Sequence, residues 1–356
     1  MPDNTLFAAD ELSVYVPMYV RLREELRKVI DAKSSGEAMP TIAALKKQFN
    51  VSQPTVERAI QDLRAEGLIT SRRGSGIYVT KQASLIHTGV VFDNDILDLE
   101  VGDFYRYLLK ALQSLSGGTS IMLHHYIAEL LENTEHDRYS AVLHALRNNR
   151  LDVLIILGAY WQKPLRSSIP VIGFGYLPHT THRVHIDHKA AVRQGVEALV
   201  GQGCRRIAFF GSIVPPRVQS ESQVFEKSLF SHGLTSRSDW IQQVGGWGAS
   251  ETIRNGAAAI TAIWSGAGEK PDGLVCVDEY VTRGVVEGAP DLGIILGRTL
   301  KVASHATKGA PLLAQAPVTR MEFDPKDVAR AMISLIGEIK KGNPTAADIF
   351  VPPSGN

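Results

Sequence analysis

The 356-residue sequence has few or none of several features that would place it in a class at once. Its two cysteines, Cys204 and Cys276, are too few for a disulfide framework and favour buried, reduced thiols in a reducing compartment. No apolar run approaches membrane-spanning length, and the first residues are partly acidic without a long apolar core. We therefore expect a cytoplasmic protein with no signal peptide and no membrane association.

Motifs of the common catalytic classes are also missing. The sequence has no G-x-S-x-G, no H-E-x-x-H, no Walker loop and no C-x-x-C. Histidines recur at steps of three at His179, His182, His185 and His188, a spacing that suits metal ligands on a helix. The residues around them instead predict a loop and then a strand, where steps of three alternate between faces. The sequence therefore predicts no metal, no cofactor and no enzyme activity.

Charge divides the chain into two parts. Residues 16–82 hold 12 Lys/Arg against 7 Asp/Glu, whereas residues 83–356 hold 26 against 27. A chain of this length predicts two or more domains. A modestly basic head on a nearly neutral body is typical of a nucleic-acid-binding module joined to another domain.

Three helices are predicted in the basic head. An amphipathic stretch over residues 16–32 predicts the first helix, and Thr41 can cap a second over residues 42–48. Ser52 can cap a third helix, with Pro54 in its first turn, where a missing N–H costs nothing.

Two short strands, over residues 68–71 and 77–80, are predicted around the turn Arg72-Arg73-Gly74-Ser75-Gly76. A phosphate-binding loop would need a helix after the glycines, and here a strand follows. A plain hairpin explains the glycines but leaves the two arginines without a role. A winged helix-turn-helix gives a role to both the glycines and the arginines. Its second helix enters the major groove, and its basic hairpin reaches the DNA backbone or minor groove.

This head resembles the DNA-binding domain of the GntR family of bacterial transcription regulators. The resemblance is carried over about 65 residues by VSQPTVERAI, LRAEGLI and GSGIYV. Gln53 and Glu57 stand where the family often has arginines, so base preference cannot be transferred, although the amide of Gln53 suits adenine. The resemblance implies that double-stranded operator DNA is contacted by Thr41, Ser52, Gln53, Pro54, Thr55, Arg58, Arg64, Arg72, Arg73, Gly74, Ser75 and Gly76.

From residue 86 onward, short apolar runs alternate with helical stretches, which is typical of parallel sheets covered on both faces. This body resembles the sensor domain of the LacI family, which is similar to periplasmic sugar-binding proteins. Matching segments include VHIDHKAAVRQGVEALVGQGCRRIAFFG, PDGLVCVDEYVTRG and DPKDVARAMISLIGEIKKGNPTAADIFVPP. The same two modules occur together in regulators of the arabinose-repressor type.

Ligands of open α/β sheets bind beyond the carboxyl ends of the strands. Aromatic rings there can stack on sugars, and carboxylates can accept hydrogen bonds from hydroxyl groups; core packing is the alternative role for each aromatic. The candidate effector-binding residues are Asp93, Asp95, Phe104, Tyr105, His124, Tyr126, Tyr160, Trp161, Phe174, Tyr176, Ser212, Arg217, Trp247, Asp278, Glu279 and His305.

Two departures from the sensor family indicate an altered pocket. The family's Arg-x-x-Gly-Phe is here Glu221-Ser222-Gln223-Val224-Phe225, so the arginine is missing at that position and Arg217 lies four residues earlier. The family's Asn-Asp is here Asp278-Glu279. The resemblance implies a sugar effector, and the changes leave another small polar molecule open.

The fold class predicted is α/β, with a small winged helix-turn-helix domain followed by a two-lobed, periplasmic-binding-protein-like domain with parallel sheets. We expect a ligand-responsive regulator, a repressor by family resemblance, that binds DNA as a homodimer. One alternative is a DNA-bound regulator whose sensor has lost its effector, and another is an enzyme body fused to a DNA-binding head. The predicted segments are a flexible N-terminus over 1–15, the head over 16–80, a linker over 81–86 and the effector-binding and dimerisation domain over 87–353.

Overall fold

The computed structural model describes residues 17–72, 75–80, 85–92, 96, 98–127, 140–148, 150–158, 169–175, 180, 182–214, 217–342 and 347–354. The predicted flexible N-terminus and residues 81–84 of the predicted linker lie outside these ranges. The chain forms two compact units. The first unit comprises Met1–Asp93, Leu115–His182 and Ile336–Thr345, and the second comprises Asn94–Ser114, Arg183–Leu335 and Ala346–Asn356.

Helices and strands alternate along most of the described chain. In chain order the elements are α1 (Met18–Asp31), α2 (Ile42–Phe49), α3 (Gln53–Ala65), β1 (Ile69–Arg72), β2 (Gly76–Val79), β3 (Ile86–Phe92), α4 (Asp103–Ser116), β4 (Ile121–Ile127), α5 (Ser140–Arg147), β5 (Val153–Leu157), β6 (Val171–Phe174), β7 (His182–Ile186), α6 (His188–Gly201), β8 (Ile207–Gly211), α7 (Arg217–Ser231), β9 (Ile241–Gln243), α8 (Ala249–Ser265), β10 (Gly273–Cys276), α9 (Glu279–Gly288), β11 (Lys301–Thr307), β12 (Thr319–Phe323), α10 (Pro325–Lys340) and β13 (Ala347–Val351).

The first unit begins with a three-helix head and a hairpin. The helices α1, α2 and α3 enclose a core of aliphatic side chains that includes Leu26, Leu45 and Leu63. Strands β1 and β2 pair antiparallel, from Ile69 opposite Val79 to Arg72 opposite Gly76. This arrangement confirms the predicted winged helix-turn-helix, because the hairpin follows directly on the third helix.

A parallel sheet follows in the first unit. Strand β3 pairs in parallel with β4 on one side and with β5 on the other, and β6 pairs in parallel with β5. Every residue of β5 and β6 is buried. Side chains of α5 pack on this sheet through Val142 and Ala145. Burial on both faces explains why these strands read as uninterrupted apolar runs.

The second unit contains a five-stranded parallel sheet in the order β12-β11-β10-β8-β9. Its central strands β8 and β10 are buried along their whole length. Helices α8 and α9 pack closely, since a Cβ added at Gly256 would lie 2.2 Å from the Val281 carbonyl oxygen, and one at Gly284 would lie 2.0 Å from that of Ile253. Strand β13 lies beside β7, where the Asp187 backbone N–H donates to the Val351 carbonyl at 2.8 Å. The predicted α/β class with parallel sheets is confirmed.

Within the described part of the chain, no helix combines the length and the apolar character needed to cross a membrane.

Candidate nucleic-acid interface and effector site

The turn between α2 and α3 is fixed by caps. Thr41 Oγ1 accepts from the Ala44 N–H at 3.2 Å and caps α2, while Asn50 ends that helix in the left-handed conformation at φ 52°. Ser52 Oγ accepts from the Thr55 N–H at 3.4 Å and shares a 2.7 Å hydrogen bond with the Thr55 hydroxyl. These contacts hold the first turn of α3 in place, because capping satisfies N–H groups that have no partner inside the helix.

The outer face of α3 is polar, opposite the buried Val56, Ala59, Ile60 and Leu63. On this face Gln53 Nε2 donates to Glu57 Oε1 at 2.8 Å, and the Arg58 guanidinium lies 5.4 Å from the centre of the Tyr19 ring. The predicted DNA-contacting residues of α3 are Gln53, Pro54, Arg58 and Arg64, all exposed, and the half-buried Thr55.

The wing presents a second polar surface. The Arg72 guanidinium stacks on the Tyr78 ring at 4.7 Å, and the hydroxyls of Ser75 and Tyr78 are 2.6 Å apart. Gly76 has φ +113°, and an added Cβ there would have nothing within 4 Å. Glycine is therefore favoured by the backbone conformation and not by a lack of space for a side chain. Arg64 donates to the Ser71 hydroxyl, which ties the end of α3 to β1. Arg73 and Gly74 lie outside the described residues.

An ion-pair network joins α3 to the parallel sheet within the first unit. Arg27 on α1 contacts Glu66, the C-cap residue of α3, at 2.9 Å and Asp152, just before β5, at 3.3 Å. Asp152 also accepts from the His87 backbone N–H on β3 at 2.8 Å, and the buried Arg23 lies 3.7 Å from Glu66. The head is therefore attached to the sheet by charged contacts as well as by the chain.

In the second unit, several predicted effector residues gather at the carboxyl ends of β8, β10 and β11. Glu221 is 1 % exposed, and it accepts from Arg217 Nε at 2.6 Å and from the Ser212 backbone N–H at 3.1 Å. Glu221 thus occupies the position where the family resemblance leads one to expect arginine. The arginine is supplied one helical turn earlier and is held there by this carboxylate.

His305 and His188 lie beside this pair. Their rings are 5.8 Å apart edge to face, and Nε2 of His305 and Nδ1 of His188 are enclosed without a hydrogen-bond partner among the described residues. Burial and the Arg217 charge lower the pKa of His305 to about 3, partly opposed by a hydrogen bond to the Val277 backbone. That bond must come from Nδ1, so the neutral ring leaves Nε2 as an acceptor.

Asp278 and Glu279 have structural partners. Asp278 caps α9 by accepting from the N–H groups of Tyr280 and Val281 at 2.8 and 3.0 Å. Glu279 is buried, and its two oxygens accept from the N–H and hydroxyl of Thr307 at 2.9 and 2.6 Å. Burial raises the pKa of Glu279 to about 7, against the lowering effect of those hydrogen bonds.

The remaining candidates of the second unit lie around its helix ends. Phe104 is buried and Tyr105 half-buried in the first turn of α4. Trp247 is 77 % exposed, just before α8. There Glu100 accepts from the Ser250 N–H at 2.8 Å and from its hydroxyl, so a carboxylate already occupies the N-terminus of α8.

Three candidates fall in the described part of the first unit. His124 shares a 2.9 Å hydrogen bond with His87, and burial together with the His87 and His125 charges lowers its pKa. Tyr126 packs against the apolar cluster beneath α5, and Phe174 is buried at the end of β6. The other candidates, Asp93, Asp95, Tyr160, Trp161 and Tyr176, lie outside the described residues.

Sequence reasoning did not propose several polar residues of the second-unit group as ligand contacts. Thr282 and Ser304 are completely buried, and their hydroxyls are 2.7 Å apart. His188 was noted only as one of the regularly spaced histidines. Among the described residues, which do not include His179, no group of three His, Cys, Asp or Glu side chains could hold a metal ion. The signal in the sequence that could have pointed to His188 is its position, because it opens a helix directly after a strand.

Two family models match the chain. Residues 18–79 match the bacterial regulatory proteins of the GntR family, and residues 196–354 match the periplasmic-binding-protein-like domain. The chain is therefore a GntR-type helix-turn-helix head joined to a periplasmic-binding-protein-like body.

Three of the proteins that the chain resembles illustrate the similarity. Catabolite control protein A of Staphylococcus xylosus is 23% identical over 211 residues, 56% of this chain and 60% of that protein. The mannosyl-D-glycerate transport/metabolism system repressor MngR of Escherichia coli is 34% identical over 68 residues, 18% of this chain and 28% of that protein. A LacI-family regulator of Weissella paramesenteroides, solved with bound glucose, has a TM-score of 0.56 at 16% identity and covers 75% of this chain and 95% of its own. The chain thus spans about 60% of the length of the catabolite control protein.

Proposed function

We propose that the protein is a ligand-responsive, sequence-specific DNA-binding transcription regulator that represses genes of sugar or related small-molecule metabolism. The observation that carries this proposal is the outer face of α3, which exposes Gln53 in its capped first turn and Arg58 in its second turn and is followed by an arginine-bearing wing. The match of residues 18–79 to a family of regulatory proteins supports the same function.

In this proposal, α3 lies in the major groove of operator DNA with its first turn near the base edges. Gln53 faces bases, whereas Arg58, Arg64 and the wing arginines Arg72 and Arg73 face phosphates or the minor groove. The stacking of Arg72 on Tyr78 restricts the arginine before DNA binds, which lowers the ordering cost of a phosphate contact.

The effector in this proposal is a small polar molecule that contacts the carboxyl-end group of the second unit. Nε2 of His305 is enclosed and has no partner among the described residues, so a hydroxyl or N–H donor of the effector would satisfy it. The Arg217 charge is balanced by Glu221 at 2.6 Å, so the site does not demand an anion. These features suit a sugar or another polyhydroxyl compound.

The protein acts, in our proposal, as a cytoplasmic homodimer on a pseudo-palindromic operator. Effector binding favours one of two states of the dimer, and the DNA affinity changes by the same factor as the effector affinity, because coupling between two binding sites is reciprocal. The predicted segments, with the head over 16–80, the linker over 81–86 and the sensor over 87–353, belong to this proposal.

The DNA-binding part is tested with the double variant Arg72→Ala, Arg73→Ala. We expect weaker operator binding and a smaller slope of log affinity against log salt, by about 4 for a dimer in which each of the four wing arginines neutralises one phosphate. The matched control is Arg283→Ala, Arg320→Ala, which removes two exposed arginines from the second unit. An unchanged affinity and salt slope in the wing variant would remove the wing from the interface.

The sensor part is tested by a thermal-shift screen of neutral sugars, starting with glucose, on the wild type and on His305→Ala. A compound at a concentration 100 times its Kd stabilises the protein by about 2.7 kcal/mol, which is readily visible as a higher Tm. We expect at least one compound to raise the Tm of the wild type more than that of the variant. If none raises it, the proposal of a sugar effector fails.

A further inference from the structure

We infer that Glu57 is a specificity-determining residue of the head, which fixes the orientation of the Gln53 amide and makes α3 read an adenine with a neighbouring cytosine. This inference rests on the proposed DNA-binding function and adds the bases that are recognised. It is drawn from the hydrogen bond between the two side chains and from the hydrogen-bonding chemistry of each.

The two side chains form one unit on the surface that faces DNA. They are four residues apart, both are exposed, and Gln53 Nε2 donates to Glu57 Oε1 at 2.8 Å. Residues at this spacing are neighbours on a helix surface. Ser52 caps the helix immediately before Gln53, so the backbone that carries the pair is held in place.

A carboxylate accepts hydrogen bonds and cannot donate them. The amide of Gln53 must therefore turn its nitrogen toward Glu57, and the flipped amide, which would bring two oxygens together, is disfavoured. One N–H and the carbonyl oxygen of Gln53 then remain for DNA. Adenine offers the complementary pair in the major groove, an N7 acceptor beside an N6 donor, whereas guanine offers two acceptors.

The second oxygen of Glu57 has its own preference. It accepts from the N4 amino group of cytosine and is repelled by the acceptors of guanine. One helical turn rises about 5.4 Å and successive bases are about 3.4 Å apart, so Gln53 and Glu57 reach different, neighbouring base pairs. A carboxylate at a DNA surface also repels phosphates, so this residue lowers binding to all sequences that lack the matching donor.

The alternative role for a surface pair at this spacing is to stabilise the helix without selecting bases. The two roles differ in one measurable property. A helix-supporting pair changes the affinity for all DNA sequences alike, whereas a specificity-determining pair changes which bases are selected.

The test is selection of duplexes from a random pool by the full chain, followed by sequencing, for the wild type, Gln53→Ala, Glu57→Ala and Glu57→Gln. The position that loses its preference in Gln53→Ala identifies the base read by Gln53. We expect adenine there and cytosine beside it in the wild type. Glu57→Ala should lose both preferences and bind the wild-type site about tenfold more weakly, with the rest of the motif unchanged.

Glu57→Gln provides the conservative variant. Its carbonyl oxygen can still accept from Gln53, so the adenine should be retained while the cytosine preference is lost. Asp62→Asn, on the same helix but nearer its C-terminal end, is the control and should leave the motif unchanged. Thermal melting of each variant checks that the head is folded.

Two results would overturn the inference while leaving the DNA-binding function intact. One is a wild-type motif with guanine at the position read by Gln53, and the other is an unchanged motif in Glu57→Ala. Failure of the wild-type chain to enrich any motif would overturn the proposed function together with the inference.

Discussion

The exposed face of the head and the carboxyl-end group of the second unit place polar residues in opposite surroundings. On α3 the side chains of Gln53, Glu57 and Arg58 are exposed, so their contacts add little to stability. In the second unit, Glu221 is 1 % exposed and Glu279 is 5 % exposed, and both accept hydrogen bonds from neighbouring elements. The exposed residues of α3 can therefore be substituted with little effect on folding, whereas buried polar residues of the second unit contribute to its fold.

Substitution of Gly284 should produce the largest loss of stability. An alanine Cβ would lie 2.0 Å from the Ile253 carbonyl oxygen and 2.7 Å from the Ala257 nitrogen, so α8 and α9 must separate. We expect Gly284→Ala to lower the free energy of unfolding by about 3 kcal/mol in urea titrations. Gly201→Ala, at the end of α6 with nothing within 4 Å, is the control and should leave stability unchanged or slightly raised. Equal effects of the two variants would contradict the close helix contact.

Glu279 should make stability depend on pH. Its pKa in the folded protein is about 7 against an ordinary 4.5, so folding favours the protonated form. Its contribution is complete below pH 4.5 and is lost as the pH rises to 7. Relative to Glu279→Gln, the wild type should lose up to about 3 kcal/mol of unfolding free energy over that range. Urea titrations at pH 4.5, 6 and 8 measure this difference, and parallel curves for the two proteins would contradict the raised pKa.

The sequence predicted the fold well where its signals are local. The caps Thr41 and Ser52 and the buried runs of β5 and β10 follow from residue type and periodicity. Strands β9 and β12 were not predicted, because they lie at the two edges of their sheet and are only partly buried, so their sequences lack a continuous apolar run.

The site was harder to predict than the fold. Carboxyl-end position selected Ser212, Arg217 and His305, and the structure places them in one region of the second unit. Their roles depend on partners distant in sequence. Glu279 was proposed as a ligand contact from its position after β10, and each of its oxygens accepts a hydrogen bond from Thr307, which is 28 residues away. No local pattern encodes such a pairing.

A matched pair of salt bridges tests the effect of burial directly. Arg217–Glu221 and Arg283–Glu287 have the same spacing on a helix and the same 2.6 Å distance, but the Glu221 side chain is 1 % exposed and that of Glu287 is 47 % exposed. We expect Glu221→Ala to cost about 2 kcal/mol, since the Ser212 N–H and Arg217 lose their acceptor. Glu287→Ala should cost about 0.3 kcal/mol. Urea titrations that give equal costs would show that burial does not distinguish these pairs.

The Arg27 network should have a smaller effect on stability than Glu221 and the clearest effect on cooperativity. Its three side chains, Arg27, Glu66 and Asp152, are 20 %, 17 % and 23 % exposed, so water screens them only in part. Arg27→Met keeps the aliphatic contacts and should lower the unfolding free energy by about 1 kcal/mol.

Because Arg27 contacts both α3 and the sheet, its loss should also let the head melt separately in calorimetry. Asp152→Asn removes only the sheet side of the contact and should give the same separation, and the double variant should show less than the sum of the two costs. If both single variants melt in one transition like the wild type, these ion pairs are not what couples α3 to the parallel sheet of the first unit.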